Sequence, residues 1–193
     1  DFSQYKHNTV ARRVARRMAV HQVRLMAEYL RYLERTPAEV EALFRDLLIG
    51  VTSFFRDPEA FVALQKEVIP RLVADKPAGG AIRAWVPGCS TGEEAYSIAM
   101  LLQEHVEPLN RGIKIQVFAT DIDRQAIEQA RAGVYSGSIA TDVSPERLER
   151  FFVRAAHGGD FRVRKSLRDL LVFSEQDVVR DPPLSNLDLL SCR

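Results

Sequence analysis

The chain has 193 residues, of which 46% are hydrophobic and 27% charged, and its formal net charge is +1. This length and composition predict one or two small domains and exclude a disordered or collagen-like chain. Cys89 and Cys192 stand alone, so neither a disulfide framework nor a metal site is indicated, and a reducing compartment is expected. No apolar run is long enough to cross a bilayer and no signal peptide is visible, so we expect a cytoplasmic protein that is not embedded in a membrane.

The first third of the chain is predicted to be helical and basic. Apolar residues recur at helical spacing over residues 8–33, with a break near His21, and this pattern predicts two helices. The arginines of this part are Arg12, Arg13, Arg16, Arg17, Arg24, Arg31 and Arg35. A basic helix face is either merely solvated or a docking surface for an acidic partner, and the pattern alone leaves both readings open.

A third helix is predicted over residues 37–49, ending at Gly50. Thr36 is the expected N-cap and Pro37 occupies the first helical position. Glu39, three residues after the cap, would complete a capping box by reaching back to the backbone N–H of the cap residue.

Two adjacent aromatic residues mark the segment that follows, residues 51–58. Phe54 and Phe55 cannot both face one core on a regular strand or helix, so one of them is expected to line a pocket. The alternative is a hydrophobic linker in which Arg56 forms a surface ion pair.

Another helix is predicted over residues 58–74, with a bend near Pro70. The proline and glycine residues of 76–80 then form the clearest linker of the chain. We therefore expect a helical domain with its linker over residues 1–76 and a second domain over residues 77–193.

The second domain is predicted to open with a strand, a glycine loop and a helix. The apolar run 81–86 indicates a buried strand, and Glu93 begins a helical pattern. Gly88 and Gly92 allow a ligand to approach the backbone closely. The loop has neither the lysine of a P-loop nor the Gly-x-Gly-x-x-Gly spacing, so a nucleoside-bearing ligand without a dominant pyrophosphate fits it best. A purely structural turn between core elements remains the alternative.

A carboxylate follows the next predicted strand. Residues 113–119 read as this strand, and the alternation of strands and helices predicts an α/β domain with a mainly parallel sheet. Ligands of such sheets lie across the carboxyl ends of the strands, so Asp121 would face the same crevice as the glycine loop. Asp121 could hold a ribose diol or could simply cap a helix, whereas Asp123 is the expected cap of a helix over residues 124–132 that ends at Gly133.

The remainder is predicted to contain a helix over residues 145–152 and strands at 161–163 and 170–173. The final apolar stretch, 187–193, looks like a buried strand. A parallel strand is normally followed by a crossover helix, so we expect a fragment of a longer protein with a truncated sheet.

Several motifs occur in one order along the chain. They are Thr-Ser-Phe-Phe-Arg-Asp at 52–57, Gly-Cys-Ser-Thr-Gly-Glu-Glu-Ala-Tyr-Ser at 88–97, Ala-Thr-Asp-Ile-Asp at 119–123, Arg-Ala-Gly-Val-Tyr at 131–135, Val-Phe with Gln-Asp-Val in 172–178, and Leu-Asp-Leu-Leu-Ser-Cys-Arg at 187–193. Together they resemble the CheR family of chemotaxis receptor methyltransferases. The resemblance covers nearly the whole chain, including its basic helical start.

The resemblance implies a Rossmann-like class I methyltransferase fold, here with a C-terminally truncated sheet, preceded in sequence by a small all-α N-terminal domain. It implies S-adenosylmethionine as cofactor, S-adenosylhomocysteine as product, and methyl transfer to glutamate side chains of chemoreceptor cytoplasmic helices. The domain of residues 77–193 would bind the cofactor. The basic helices of the first domain would dock on the receptor through Arg12, Arg13, Arg16 and Arg17.

Site roles also follow from the resemblance. Thr52 and Arg56 would lie at the cofactor and the reacting end, with Arg56 the candidate catalytic residue. Glu94 would hold the methionine amino group, and Asp121 the ribose hydroxyls, beside the Gly88 loop. The positions that match the surroundings of the adenosine are Asp177, Val178, Cys192 and Arg193.

Three departures from the family pattern are visible. Gly50 stands where stand-alone members carry an Asn, and Asp177 with Val178 replaces an Asn-Leu pair. Gly50 and the Asp-Pro-Pro run 181–183 are similar to members fused to methylesterase and sensory modules. The Asn and the Tyr that complete the family site would follow Arg193.

Other functions remain as alternatives. A catalytically impaired S-adenosylmethionine-binding or adaptor domain of a chemosensory protein would keep the fold for docking alone. A nicotinamide oxidoreductase is disfavoured by the glycine spacing. A nucleic-acid methyltransferase is disfavoured because no motif for holding an extruded base is visible, so no nucleic-acid partner is expected.

Overall fold

The computed structural model describes residues 7–48, 52–155 and 159–192, and the chain divides into two units, Asp1–Ile49 and Gly50–Arg193. The described part of the first unit forms α1 (His7–Val20), α2 (Met26–Arg35) and α3 (Pro37–Leu47). The break between the first two helices lies where the apolar spacing predicted it, and Gln22 adopts a left-handed φ of 55° there.

A buried carboxylate joins the three helices of the first unit. Glu39 is 4% exposed, and its carboxylate accepts hydrogen bonds from Arg17 Nε at 2.9 Å and Tyr29 Oη at 2.7 Å. His21 Nε2 lies 2.6 Å from the same carboxylate. The hydrogen bond from Arg17 is the main cause that lowers the pKa of Glu39 from 4.5 to about 2, against the opposing effect of burial.

The predicted capping box at the start of α3 is wrong. Thr36 does occupy the N-cap position, but its side chain makes no capping hydrogen bond. The Glu39 side chain turns instead to Arg17 on α1 and Tyr29 on α2, because a buried carboxylate is stabilised far more by a guanidinium than by one backbone N–H.

The second unit begins with one helical stretch formed by α4 (Pro58–Ala63), a π-helical turn (Leu64–Val68) and α5 (Ile69–Ala74). The remaining elements are β1 (Ala81–Pro87), α6 (Glu93–Val106), a 3₁₀ turn (Glu107–Leu109), β2 (Lys114–Asp121), α7 (Arg124–Ala132), β3 (Val134–Tyr135), a 3₁₀ turn (Gly137–Thr141), α8 (Pro145–Phe151), β4 (Phe152–Arg154), β5 (Phe161–Val163), α9 (Lys165–Arg168), β6 (Leu171–Glu175) and β7 (Leu189–Leu190). The predicted order of strands and helices is confirmed. β3, β4 and α9 were not predicted from the sequence, and both β3 and β4 pair with β5.

Parallel pairing organises the main sheet, whose strand order is β6-β2-β1-β7. Pro87 at the end of β1 lies opposite Thr120 of β2, and Asp121 lies opposite Glu175 at the end of β6. The carboxyl ends of these strands therefore meet at one edge. A second, antiparallel sheet has the order β3-β5-β4.

The helical stretch of residues 58–74 belongs to the second unit. Phe61, Ile69 and Val73 are buried in the same core as Ile82 of β1 and Ile98 of α6. The chain thus divides at residues 49 and 50, whereas the sequence analysis placed the boundary after residue 76. The reason is that the apolar face of this stretch packs on α6, which the proline- and glycine-rich linker did not reveal.

The expected buried strand at residues 187–193 is in fact a short edge strand. β7 has two residues, and Leu190 is 56% exposed. Asp188 fixes this edge, because its backbone N–H donates to Arg83 O at 2.8 Å and its carboxylate accepts from Arg83 N at 2.8 Å and Lys76 Nζ at 2.6 Å.

No helix in the described ranges is long and apolar enough to span a membrane.

The Glu39 cluster yields a prediction for stability. Glu39→Gln should lower the unfolding free energy of the N-terminal unit by about 2 kcal/mol at pH 7, because the half-buried Arg17 loses its counter-charge. A depressed folded-state pKa contributes stability above pH 4.5 that is lost as the pH falls towards 2, so wild type should weaken over this range more than the variant. Helical circular dichroism during denaturant titration measures both effects.

Glu41→Gln is the matched control, since Glu41 is an exposed glutamate of the same helix. It should leave the unfolding curve within about 0.5 kcal/mol of wild type. Equal losses for the two variants would contradict the structural role of Glu39.

Candidate functional site

The loop after β1 has three residues in left-handed conformation. Gly88 has a φ of 67°, Ser90 of 48° and Gly92 of 94°. A Cβ at Gly92 would lie 2.9 Å from Ala130 Cβ, so this glycine is needed for the packing of α6 on α7. A Cβ at Gly88 would meet nothing within 4 Å, and the loop is therefore open to a ligand at Gly88.

Asp121 joins this loop to the end of β2. Its Oδ2 accepts from Ser90 N at 2.7 Å and its Oδ1 from Asp123 N at 2.9 Å. Capping of α7 is performed by Asp123, whose Oδ1 accepts from the backbone N–H groups of the first helical turn at 2.9 and 3.2 Å. Each Asp121 oxygen retains a further lone pair, so the carboxylate can hold the loop and still accept from a hydroxyl.

Glu94 lies where three segments meet. Its Oε1 accepts from Ser191 Oγ at 2.7 Å, just after β7. Burial raises the pKa of Glu94, whereas the Ser191 hydrogen bond and the positive charge of Arg56 lower it. Glu94, on the first turn of α6, therefore lies within electrostatic range of Arg56, in the segment that precedes α4.

Glu93 carries a second half-buried carboxylate, and the sequence analysis assigned it no site role. Thr91 Oγ1 donates to its two oxygens at 2.9 and 2.7 Å. Burial raises the pKa of Glu93, while hydrogen bonds from Thr91 and Thr52 lower it. Tyr135 Oη donates to Thr91 O at 2.7 Å, which ties the glycine loop to β3. The sequence signal that could have revealed Glu93 was the pair of adjacent glutamates at the start of a helix, of which only Glu94 was given a role.

Phe54 and Phe55 are both buried in the same core, so the expectation that only one of them could face it is wrong. Phe54 packs edge-on against Tyr135 at 4.9 Å and Phe55 against Phe61 at 5.3 Å. The chain turns through a φ of 50° at Phe55, and this irregular backbone lets adjacent side chains enter one core.

The positions matched to the adenosine surroundings lie in two loops. Gln176 N donates to Asp121 O at 2.9 Å, which places the loop after β6 beside the end of β2. In that loop Asp177 accepts from Val179 N at 3.0 Å, and Val178 is 57% exposed. Cys192 is also exposed.

Gly50 and Arg193 lie outside the described residues. The roles assigned to these positions therefore stay predictions.

Comparison with known protein families places both parts of the chain. Residues 1–48 match the family described as CheR methyltransferase, all-alpha domain. Residues 50–193 match the family described as CheR methyltransferase, SAM binding domain.

Similar proteins come from several bacteria. The chain is 42% identical over 193 residues to an uncharacterized 104.1 kDa protein of Rhodobacter capsulatus, covering all of this chain and 20% of that protein. It is 32% identical over 200 residues to a protein of Pseudomonas putida named as a methyltransferase, Cher3, covering all of this chain and 70% of that protein. It is 34% identical over 179 residues to the chemotaxis protein methyltransferase of Salmonella typhimurium, covering 91% of this chain and 59% of that protein.

These matches confirm that an all-α domain is followed in sequence by an α/β domain. They also confirm S-adenosylmethionine as the cofactor and the methyltransferase class. The chain therefore belongs to the CheR methyltransferase family.

Proposed function

We propose that the protein transfers the methyl group of S-adenosylmethionine to glutamate carboxylates in the cytoplasmic helices of chemoreceptors. The observation that carries the proposal is the hydrogen bond between Glu94 and Ser191, with the charge of Arg56 acting on Glu94, in the same domain as the loop that Asp121 holds. The charges of Arg56, Glu94 and Asp121 support methyl transfer to a receptor carboxylate. The relatives of the chain include chemotaxis protein methyltransferases, which supports the same reaction.

The residues at this edge fit the cofactor. The space in front of Gly88 admits a ligand against the backbone. Asp121 has lone pairs left for the two ribose hydroxyls, and Glu94 offers a carboxylate to the ammonium group of the methionine part. Thr52, Asp177, Val178, Cys192 and Arg193 complete the proposed surroundings.

The chemistry asks little of the protein beyond alignment. When bound, S-adenosylmethionine supplies a methyl group on a positively charged sulfur. The receptor glutamate is already ionised at neutral pH, so no general base is required. Arg56 would orient this carboxylate by charge-assisted hydrogen bonds, and such alignment can contribute roughly 7 kcal/mol or more to lowering the barrier.

Receptor docking is proposed for the basic face of α1. Arg12 and Arg16 are exposed and lie four residues apart, on one side of the helix. Arg17 was expected to share this role, but it is engaged with Glu39 inside the first unit. We therefore propose that Arg12 and Arg16 dock on the receptor, with the half-buried Arg13 beside them. The reaction would take place in the cytoplasm, where the receptor helices are.

A transfer assay tests the proposal and the docking face together. The protein is incubated with S-adenosylmethionine carrying a labelled methyl group and with a chemoreceptor cytoplasmic fragment. We expect label on the receptor that mild alkali releases as methanol, as a glutamate methyl ester requires. The double variant Arg12→Glu/Arg16→Glu should lower transfer at least tenfold at low salt, with little change in affinity for S-adenosylhomocysteine.

Alkali-stable label, or no label on the receptor, would overturn the proposed reaction. Unchanged transfer by the double variant would remove only the docking face. Lys165→Glu/Arg168→Glu, on α9, is the control for a charge change of equal size.

Gly88 offers a test of the cofactor position. Gly88→Ala should cost about 1 kcal/mol of stability because of its positive φ, and should weaken S-adenosylhomocysteine binding at least tenfold because the new methyl group enters the ligand space. Calorimetric titration and thermal unfolding measure the two effects.

Gly112→Ala is the matched control, since Gly112 has a φ of 64° and a Cβ there also meets nothing within 4 Å. It should cost the same stability and leave the affinity unchanged. Equal affinities for the two variants would place the ligand away from Gly88.

A further inference from the structure

A buried hydroxyl connects the segment of residues 52–57 to α6. Ser97 is fully buried, and its Oγ accepts from Phe55 N at 3.1 Å while donating to Glu93 O at 2.7 Å. One serine on the second turn of the helix thus holds the backbone of a segment more than forty residues earlier in the chain.

The backbone at this point needs such a partner. Phe55 adopts a left-handed φ of 50°, a conformation that is unfavourable for a non-glycine residue. Its N–H is buried, and an unpaired buried N–H would be destabilising because it has lost its hydrogen bond to water. Ser97 supplies the acceptor, so the strained turn is maintained next to Arg56.

A second hydrogen bond joins the segment of residues 52–57 to Glu93 of α6. Thr52 hydrogen-bonds the Glu93 carboxylate, which also accepts from Thr91 of the glycine loop. The segment is therefore tied to Glu93 twice, through the Glu93 carbonyl by way of Ser97 and through its carboxylate by way of Thr52.

We propose that Ser97 is a positioning residue of the methyltransferase site. It holds the segment that carries Thr52 and Arg56 in register with the first turn of α6, so that Arg56 stands beside Glu94. Ser97 touches neither the cofactor nor the acceptor, and it acts through Phe55. This inference rests on the proposed function for its effect on cofactor binding, but its structural part can be measured without any ligand.

The first test is amide hydrogen exchange of the ligand-free protein. Ser97→Ala should speed exchange over residues 52–57 at least tenfold, because Phe55 N–H loses its acceptor, while exchange in β2 and α7 stays as in wild type. Unchanged exchange over residues 52–57 would overturn the proposal.

The second test asks whether Ser97 acts through Arg56. Ser97→Ala should weaken S-adenosylhomocysteine binding about tenfold in calorimetry. Adding Arg56→Ala to this variant should weaken it little further, because the arginine has already left its position. Losses that multiply in the double variant, or an unchanged affinity of Ser97→Ala, would overturn the positioning role.

The third comparison separates positioning from general destabilisation. Tyr96→Phe removes a buried hydroxyl from the neighbouring residue of α6, where it donates to Ala130 O at 2.8 Å. It should lower thermal stability as Ser97→Ala does, yet leave exchange over 52–57 and the affinity unchanged. Ser97→Cys keeps a weaker donor and acceptor and should fall between wild type and Ser97→Ala; an effect as large as that of Ser97→Ala would contradict the hydrogen-bond mechanism.

Failure of the proposed function has a different signature. If wild type binds no S-adenosylhomocysteine while Ser97→Ala still loosens residues 52–57, the cofactor assignment fails and the proposal that Ser97 positions a methyltransferase site fails with it. If wild type binds and Ser97→Ala does not loosen the segment, only the role of Ser97 fails.

Discussion

The parallel pairing of β1 with β2 determines the position of the candidate cofactor site, at the carboxyl ends of these strands. Its register puts Pro87 opposite Thr120, so the chain leaves both strands at the same edge of the sheet. The Asp121 carboxylate then bonds the loop after β1 through Ser90 N, and this contact holds a left-handed serine that would otherwise be strained. The loop at Gly88 depends on this pairing and on hydrogen bonds that include Ser90 N to the Asp121 carboxylate, Cys89 N to Thr120 O at 3.0 Å and Tyr135 Oη to Thr91 O.

Charge at the start of α6 is the second determinant of the site. Glu93 and Glu94 occupy the first turn, where the helix dipole favours acidic side chains. Burial raises the pKa of both carboxyl groups, and hydrogen bonds partly offset this rise. The positive charge of Arg56 lowers the pKa of Glu94 further. Glu93 joins the surrounding segments through Thr91 and Thr52, whereas Glu94 accepts from Ser191 and is acted on by the charge of Arg56.

Much of this arrangement could be predicted from the sequence, because it depends on local rules. Helix periodicity, the cap at Asp123 and the left-handed Gly133 all act within a few residues, and the structure confirms them. The pairing of strand ends followed from the alternation of strands and helices. Asp121 was expected at this edge for the same reason.

Other features depend on contacts between residues distant in the chain, and no spacing rule reveals them. Glu39 was expected to cap its own helix, but Arg17, 22 residues away, competes for it more strongly. The burial of both Phe54 and Phe55 depends on one left-handed residue. The bridging role of Glu93 depends on Thr91, two residues before it, and on Thr52, 41 residues before it, both bonding its carboxylate.

A two-dimensional NMR titration of the protein with S-adenosylhomocysteine tests the proposed cofactor site most directly. The amide signals of residues 88–92 and 121–123 should shift together, saturating at one equivalent of ligand. Signals that do not move at millimolar ligand, or shifts confined to other parts of the chain, would contradict the assignment of this edge as the cofactor site.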